Sequence, residues 1–537
     1  MKLVTRPLFL LLLIILAAGI YRGILLYTHE GFLGVDGGAY FLSRNAVLGN
    51  EPTSQGFARP PLAPGWLLVP FTSLWGDDIG FKIWSLVSSL LPIPAVFLFG
   101  TRILGNRGAL IGALFIAFCP FQSEMFVTGA LPLIGFSLLL VALWALFKVA
   151  DEGQLQLLKL HVLLPLILSI ALIPYVNQTA AGISAFILPV AVGIILFGRR
   201  YNAIYFGKVP YPLHHERIER LPLRYYWPML AALTAGTILA FGALPFYISL
   251  APGVGLLRYP GPFLFLTSDL AWFQMLLSVP VGVFIYITAA NYAKQFLGVV
   301  LVFLGFAILM LSSDETIVNL FYRSRYLIMM FLYPALIYFF TTLDFNWKVS
   351  AGAAAAALCI LASGFQFAWA RQTEYSIRAT PQVVGALRYL EEGGYYKNII
   401  TNDFSLGHWI ASLTGRQSPH TWTQHPPRAY ETQDWKVRCV LGWTYGCDPI
   451  REAQDLGASH VLLDERFPFT GRLVERQVEK GYREHLEIYG APPDPYGTTS
   501  EATWLTEVYR DDPVRLYRIS HIDAQSPGQK ASLIFAE

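Results

Sequence analysis

Long apolar runs, each near the length of a bilayer crossing, recur along the first two thirds of the chain between short polar stretches. Windows of about 19 residues place them near 7–27, 80–100, 109–122, 129–147, 161–175, 181–198, 227–250, 270–290, 296–312, 326–343 and 349–370. A run of this kind reads as a helix in lipid, because a helix satisfies its own backbone where water is absent. The pattern thus predicts about 11 spans. Near Arg371 the pattern changes to short apolar runs set among Pro, Gly, His and mixed charge. There Asn398-Ile399-Ile400-Thr401, Val461-Leu462-Leu463 and the stretch from Val514 to Ile519 read as buried strands, with a helix from Phe404 to Leu413 between the first two. The expected fold class is α: a polytopic transmembrane helix bundle over residues 1–370, followed by a small soluble extracytoplasmic α/β domain over 371–537.

Charge gives the bundle its sides. With Lys2 and Arg6 placed in the cytoplasm, the cytoplasmic connections receive Arg102 and Arg107, then Lys148 and Lys159, then Arg199, Arg200, Lys208, Arg217, Arg220 and Arg224, and finally Lys294 and Lys348. Basic residues recurring on one side predict a multi-pass plasma-membrane protein with a cytoplasmic N-terminus, and an odd number of spans leaves the C-terminal domain outside. The first run admits a second reading as a cleaved signal peptide, since Ala17-Ala18-Gly19 supplies small residues and Arg22 interrupts the apolar stretch. Both readings leave the following loop on the outer side.

Composition agrees: 54% of residues are hydrophobic and 14% charged, against roughly 25% charged for an average soluble protein. This excludes a cytosolic globule and a disordered chain. A net charge of +3 gives no electrostatic reason to expect a nucleic-acid partner. Cys119 and Cys359 stand alone in apolar runs, whereas Cys439 and Cys447 share the outer domain, where a disulfide and two free thiols are both open. His408, His420, His425 and His460 lack the spacing of a zinc site and read as structural or solvated.

The expected span interiors are almost free of ionisable residues, and the charges collect at outer ends and in outer loops. That distribution points to chemistry at the outer surface rather than to an ion path at mid-membrane. The loop from Thr28 to Ile79 opens with Gly34-Val35-Asp36-Gly37-Gly38-Ala39-Tyr40 and continues as an interfacial helix to about Asn50. Helical spacing puts Asp36, Tyr40 and Arg44 on one side, and the two glycines let a ligand approach the backbone; equally, Asp36 can serve only as a helix cap. Further along, Arg59 sits in a proline-stiffened turn, Phe57-Ala58-Arg59-Pro60-Pro61-Leu62-Ala63-Pro64. Glu124 follows the third span, so Asp36 and Glu124 can meet in one outer cavity, as base and orienter or as ligands of a divalent cation. Arg258, Arg323 and Arg325 lie in later outer connections, where a guanidinium fork suits phosphate oxygens or snorkels to lipid headgroups.

Taken in order, Gly34-x-Asp36-x-x-x-Tyr40, Arg59-Pro60-Pro61-Leu62-x-Pro64, Glu124 before an apolar helix, and Arg325-Tyr326 resemble the polytopic GT-C glycosyltransferases, which include protein O-mannosyltransferases and lipid A aminoarabinose transferases. The resemblance covers roughly the first 370 residues. It implies inverting transfer of a sugar from a polyprenyl-phosphate donor to a protein, lipid or glycan acceptor on the extracytoplasmic face. Asp36 would act as base or, with Glu124, hold a divalent metal such as magnesium or manganese. Arg325, with Arg323, would hold the donor phosphate, Arg59, Arg258 and Tyr40 would line the substrate site, and the lipid tail would lie between helices. The chain departs from the pattern in two places. Gly37 follows Asp36 where many members carry a second acid, and Asn177-Gln178-Thr179 stands where relatives often place Lys or Arg, leaving Gln178 as the substrate contact. An alternative from another class is a lipid-linked glycan transporter or a noncatalytic subunit of a glycan-assembly complex.

Overall fold

Apolar runs rich in Leu, Ile, Phe and Ala form helices wherever the chain is described. The computed structural model describes residues 5–27, 31–33, 37–49, 62–118, 131–152, 160–197, 204–206, 209–211, 227–241, 279–287, 291–311, 330–331, 335, 338, 377–393, 398–402, 406–414, 435–437, 439–441, 448–464 and 505–519. The chain divides into two compact units, Met1–Val47 with Arg59–Ile377 and Leu48–Ala58 with Arg378–Glu537. The first contains α1 (Thr5–Tyr27), α2 (Gly37–Val47), α3 (Leu62–Trp75), α4 (Asp77–Leu90), α5 (Pro92–Ala117), α6 (Leu131–Glu152), α7 (Leu160–Val176) and α8 (Gln178–Phe197). A small antiparallel pair, β1 (Ile204–Phe206) with β2 (Val209–Tyr211), precedes α9 (Trp227–Phe241), α10 (279–287) and α11 (Tyr292–Leu311). Among the described residues three helical stretches are long and apolar enough to cross a membrane: Pro7–Ile24, Asp77–Ala117 and Leu133–Ala150. The span expected at 349–370 lies outside the described residues.

Two turns show how the runs are punctuated. Gly105, at φ 69° and ψ −178°, breaks α5 into two halves that fold back on each other, so that a Cβ added at Gly100 would stand 3.3 Å from Ala109 Cα. Only glycine enters that backbone region without strain. The boundary between α7 and α8 is the single residue Asn177. Its N–H donates to Ile173 O at 3.0 Å, and its Oδ1 accepts from Ala180 N at 2.8 Å, capping the new helix where its first N–H groups lack partners. Asn291 does the same for α11, accepting from Lys294 N at 2.9 Å, while its Nδ2 donates to Arg102 O at 3.0 Å. That bond brings the turns bearing Arg102 and Lys294 to one end of the bundle.

In the first unit, α2 occupies the position of the interfacial helix expected after Asp36. α3 departs from the expected turn. The last residues of that turn are already helical: Pro64 falls in the first turn of α3, where an N–H has no helical partner to lose, while Phe57 to Pro61 lie outside the described residues. The core is apolar, with Phe99, Phe147, Phe296 and Phe331 joining α5, α6, α11 and the region of Phe331 at ring separations of 5.2 to 6.4 Å. Glycines set the closest helix approaches: a Cβ at Gly298 in α11 would stand 2.7 Å from Gly282 O in α10. Small residues permit this backbone contact in membrane bundles, where dispersion replaces the hydrophobic effect between helices.

The second unit carries a four-stranded sheet in the order β3 (Asn398–Thr401), β4 (Ala458–Asp464), β6 (Val514–Ile519), β5 (Leu505–Asp511). β3 and β4 run parallel, and the other neighbours are antiparallel. The helices of this unit are α12 (Pro381–Glu392), α13 (Leu406–Thr414) and α14 (Pro449–Asp455). Thr380 caps α12 and Asp448 caps α14. The three strands and the helix read from the sequence are present, with β4 and α13 shifted by one to three residues at their ends. At the ends of the parallel pair the Asn402 amide clasps Asp464: Nδ2 donates to Asp464 O at 2.9 Å and Oδ1 accepts from Asp464 N at 2.9 Å, extending the ladder by one side-chain rung. His460 is buried with Nδ1 2.8 Å from Ser459 Oγ, a structural histidine. Cys439 is buried and disulfide-bonded, and Cys447 lies outside the described residues. On the surface, a hydrogen bond from Lys436 holds the Asp455 carboxyl below its ordinary range.

These contacts set two expectations for stability. Gly65→Ala drives a Cβ into the backbone of α2 at Ser43 and Arg44, whereas Gly193 in α8 faces open space. Thermal melting of the full chain in nanodiscs should fall for Gly65→Ala, by about 1 to 3 kcal/mol equivalent, and hold or rise for Gly193→Ala. Equal effects of the two would contradict the packing. Asn402→Ala removes both halves of the clasp and should cost the second unit about 2 to 4 kcal/mol, read as an earlier transition in the melt; an unshifted transition would show that the clasp contributes nothing.

Candidate active site

The loop most informative in sequence contains α2, and α2 is held by three contacts to α4. Arg44 forms an ion pair with Asp77, the rings of Phe41 and Phe81 lie 5.4 Å apart, and Tyr40 meets Trp84 edge-on at 5.4 Å and 71°. The partners ascend along α4 as they descend along α2, so the two helices run in opposite directions. Spacing explains the match: residues 40, 41 and 44 share one face of a helix, as do 77, 81 and 84. α3 crosses both helices. Gly65 rests on the α2 backbone at Ser43 and Arg44, and Gly80 of α4 rests on the α3 backbone, where an added Cβ would stand 2.7 Å from Thr72 Cα. The result is a layered platform whose first residue, Gly37, directly follows Asp36.

This geometry places two polar side chains of the loop. The Arg44 guanidinium, besides its ion pair with Asp77, donates to Asn45 Oδ1 at 3.0 and 3.2 Å and lies 4.7 Å over the Phe41 ring, so its charge is used inside the platform. Tyr40 is 7% exposed, and its ring packs on Trp84. Lys82, also buried, is answered by Asp78 at 3.1 Å one turn earlier on α4.

Sequence reasoning missed Arg22 as a working residue. It lies in the 23-residue apolar helix α1 and is 1% exposed. Its guanidinium donates to Ser89 O at the end of α4, and to Ile116 O at 3.3 Å and Ala117 O at 2.9 Å at the end of α5. The last carbonyls of a helix have no intrahelical partner, and in a membrane they have no water either. Near Ser89 the ladder is also broken, because Pro92 and Pro94 lack the N–H groups that an uninterrupted helix would offer to Ser88 and Leu90. A cation at the carbonyl end of α5 also opposes the negative pole of that helix. The signal available in sequence was a lone arginine in an otherwise apolar run. It is the exception that the expectation of span interiors almost free of charge leaves room for.

Of the residues expected to form the site, Asp36, Arg59, Glu124, Arg258, Arg323 and Arg325 lie outside the described residues, and Gln178 opens α8 with its side chain also outside them. Asn177, beside it, is committed to capping. Among the described residues no group of three or more His, Cys, Asp or Glu is placed to hold a metal ion; both expected metal ligands, Asp36 and Glu124, fall outside that set.

No protein-family model and no curated protein matches the chain. Solved structures do. The Archaeoglobus fulgidus oligosaccharyltransferase in its apo form superposes at TM-score 0.56 with 14% identity, covering 96% of this chain and 75% of that one. AglB, the same organism's oligosaccharyltransferase, in complex with an inhibitory peptide and a dolichol-phosphate gives TM-score 0.53 and 13% identity over 96% of this chain and 74% of that one. The arabinofuranosyltransferase AftD from Mycobacteria gives TM-score 0.56 and 13% identity over 94% of this chain but 40% of its own length. These neighbours are GT-C superfamily glycosyltransferases, and the likeness shows that this chain has their fold.

Proposed function

We propose that the protein is a membrane glycosyltransferase that moves a sugar from a polyprenyl-phosphate donor to an acceptor hydroxyl or amide at the extracytoplasmic face. The observation that carries this reading is the GT-C fold, shared over almost the whole chain with an enzyme solved in complex with a dolichol-phosphate. The platform of α2, α3 and α4 supports it, because it gives the segment bearing Asp36 a rigid base, as a residue that must meet a substrate within a fraction of an ångström requires.

In the proposed reaction Asp36 accepts the proton of the acceptor nucleophile, which attacks the anomeric carbon from the face opposite the phosphate. The bond from that carbon to the phosphate oxygen breaks, the configuration inverts, and polyprenyl phosphate leaves with the electron pair. Arg325 and Arg323, with Arg258 and Arg59, stabilise the charge that grows on the leaving phosphate. Glu124 orients Asp36 or the acceptor, and Gln178 contacts substrate beside the Asn177 cap. Tyr40 serves through the platform, fixing α2 against Trp84. If the reaction uses a divalent cation, magnesium or manganese, Asp36 and Glu124 are the residues that would hold it and it would polarise the transferred group; an AglB structure with zinc and sulfate supports testing this. The acceptor class, whether protein, lipid or glycan, depends on pocket shape.

Purified full chain in nanodiscs, supplied with a panel of radiolabelled polyprenyl-phospho-sugars and acceptors, should transfer label. Asp36→Asn should reduce the rate by about a hundredfold or more, and retained activity would remove Asp36 from the chemistry. Arg325→Ala should mainly raise the donor concentration for half-maximal rate, by about tenfold or more; an unchanged donor titration would contradict the phosphate role. Transfer that survives chelation would assign Asp36 as a base without metal.

A further inference from the structure

α3 (Leu62–Trp75) carries no ionisable residue and is apolar on nearly every side, yet the protein covers only one side of it. Pro64, Gly65, Leu68 and Thr72 are buried, at the spacing of one helix face. On the opposite face Trp66, Leu67, Pro70, Ser73 and Leu74 are exposed, Trp66 by 64% and Leu74 by 71%. Where a helix of this chain turns a face to water, the composition differs. α12 keeps Val383, Ala386, Leu387 and Leu390 inside and exposes Arg388, Tyr389, Glu391 and Glu392. A helix that is apolar all round belongs in a protein core or in lipid, and the exposed face of α3 is not in a core.

The packing of α1 on α4 gives the level of α3. A Cβ at Gly19 would stand 3.5 Å from Leu90 Cδ1 and one at Gly23 3.9 Å from Leu86 Cδ2, so the two helices run antiparallel. Gly80, which α3 meets at Thr72, lies about 9 Å of helical rise beyond Leu86 along α4. The apolar stretch of α1, Pro7–Ile24, ends about 1.5 Å beyond Gly23. α3 therefore meets α4 about 7 to 8 Å past the end of that stretch. This is the level of the headgroup layer, which adds about 5 to 8 Å to each side of the hydrocarbon. At 14 residues α3 is too short to span, and a tryptophan suits this level with its apolar body and polar N–H. Towards the same end α1 exposes Leu16, Ile20, Ile24 and Tyr27, so the apolar face of α3 continues a surface that already meets lipid.

We propose that α3 lies in the headgroup layer at the Tyr27 end of α1, with Trp66, Leu67, Pro70 and Leu74 set into the acyl boundary as a membrane anchor of the platform. The occupant of this face is phospholipid, and α2 and α4 hold the other face. The placement is independent of the transfer chemistry, so its test needs no substrate.

Full chain is placed in phosphatidylcholine nanodiscs. A ketone-bearing amino acid replaces Trp66, Pro70 or Leu74, one at a time, with Leu16 of α1 and Arg388 of α12 as lipid and water references. Coupling it to a hydroxylamine nitroxide leaves the four cysteines untouched, and a wild-type melting temperature shows that each labelled protein is folded. Collisions of the label with oxygen, which concentrates in lipid, are compared with collisions with a nickel chelate, which stays in water. Labels on α3 should favour oxygen as Leu16 does, at a depth of about 5 to 10 Å into the headgroup and acyl boundary. Nickel-dominated collisions at all three positions would overturn the proposal. Immobilised labels that neither reagent reaches would overturn it too, the outcome if a second copy of the chain covers the face. Trp66→Phe, which keeps an aromatic ring, gives a separate readout. In bilayers brominated on the acyl chains near the headgroup it should lose part of the quenchable tryptophan emission of the wild type, and an unchanged quenchable fraction would contradict the lipid contact.

Discussion

A helix that ends inside a membrane leaves carbonyl oxygens with nothing to accept from, and this constraint shapes the first unit. Each unsatisfied group costs on the order of several kcal/mol in hydrocarbon. Asn177 and Asn291 answer the matching problem at helix starts with side-chain oxygens. Arg22 answers it at two helix ends with a guanidinium, at the expense of burying a charge in an otherwise apolar helix. The burial is tolerable because three carbonyl dipoles face the cation, and because the end of α5 presents its negative pole to it. Removing it would leave the carbonyl acceptors of Ser89, Ile116 and Ala117 without this donor.

Around that anchor the chain uses glycine where neighbouring helices must touch at the backbone. Gly65, Gly80, Gly282 and Gly298 each stand where a methyl group would enter another helix's main chain. Gly65 and Gly80 matter for function because they stack α2, α3 and α4 into one platform. The ion pair of Arg44 with Asp77 and the rings of Phe41, Phe81, Tyr40 and Trp84 then set its register. The connection after α1 is thus a packed structure in its own right, and the GT-C architecture gains from it a fixed point at the residue following Asp36.

Hydrophobic periodicity revealed most of what depends on local chemistry. The apolar runs that are described form helices, and the helix after Asp36 and the strands at Asn398, Val461 and Val514 stand where pattern and composition placed them. The helix from Leu62 to Trp75 was hidden, because prolines that read as a rigid turn also start helices, and the two situations differ only in the residues downstream. Arg22 was hidden for a different reason. A lone cation in an apolar run looks like an interruption until the carbonyls of Ser89, Ile116 and Ala117, 67 to 95 positions away, are brought to it. Tyr40 and Arg44 share a helix face, as spacing required, but spacing does not say whether that face meets a ligand or another helix. Here Trp84 and Asp77 take it.

The central claim is that acidic groups from the first two outer connections and arginines from later ones converge on one phosphorylated lipid. It is tested most directly by an electron cryomicroscopy structure of the full chain in nanodiscs with a polyprenyl phosphate bound. The account predicts the lipid phosphate between Arg325 and the start of α2, with Asp36 and Glu124 facing the position a transferred sugar would occupy. A bound phosphate remote from α2, with Asp36 and Arg325 opening into separate regions, would contradict it.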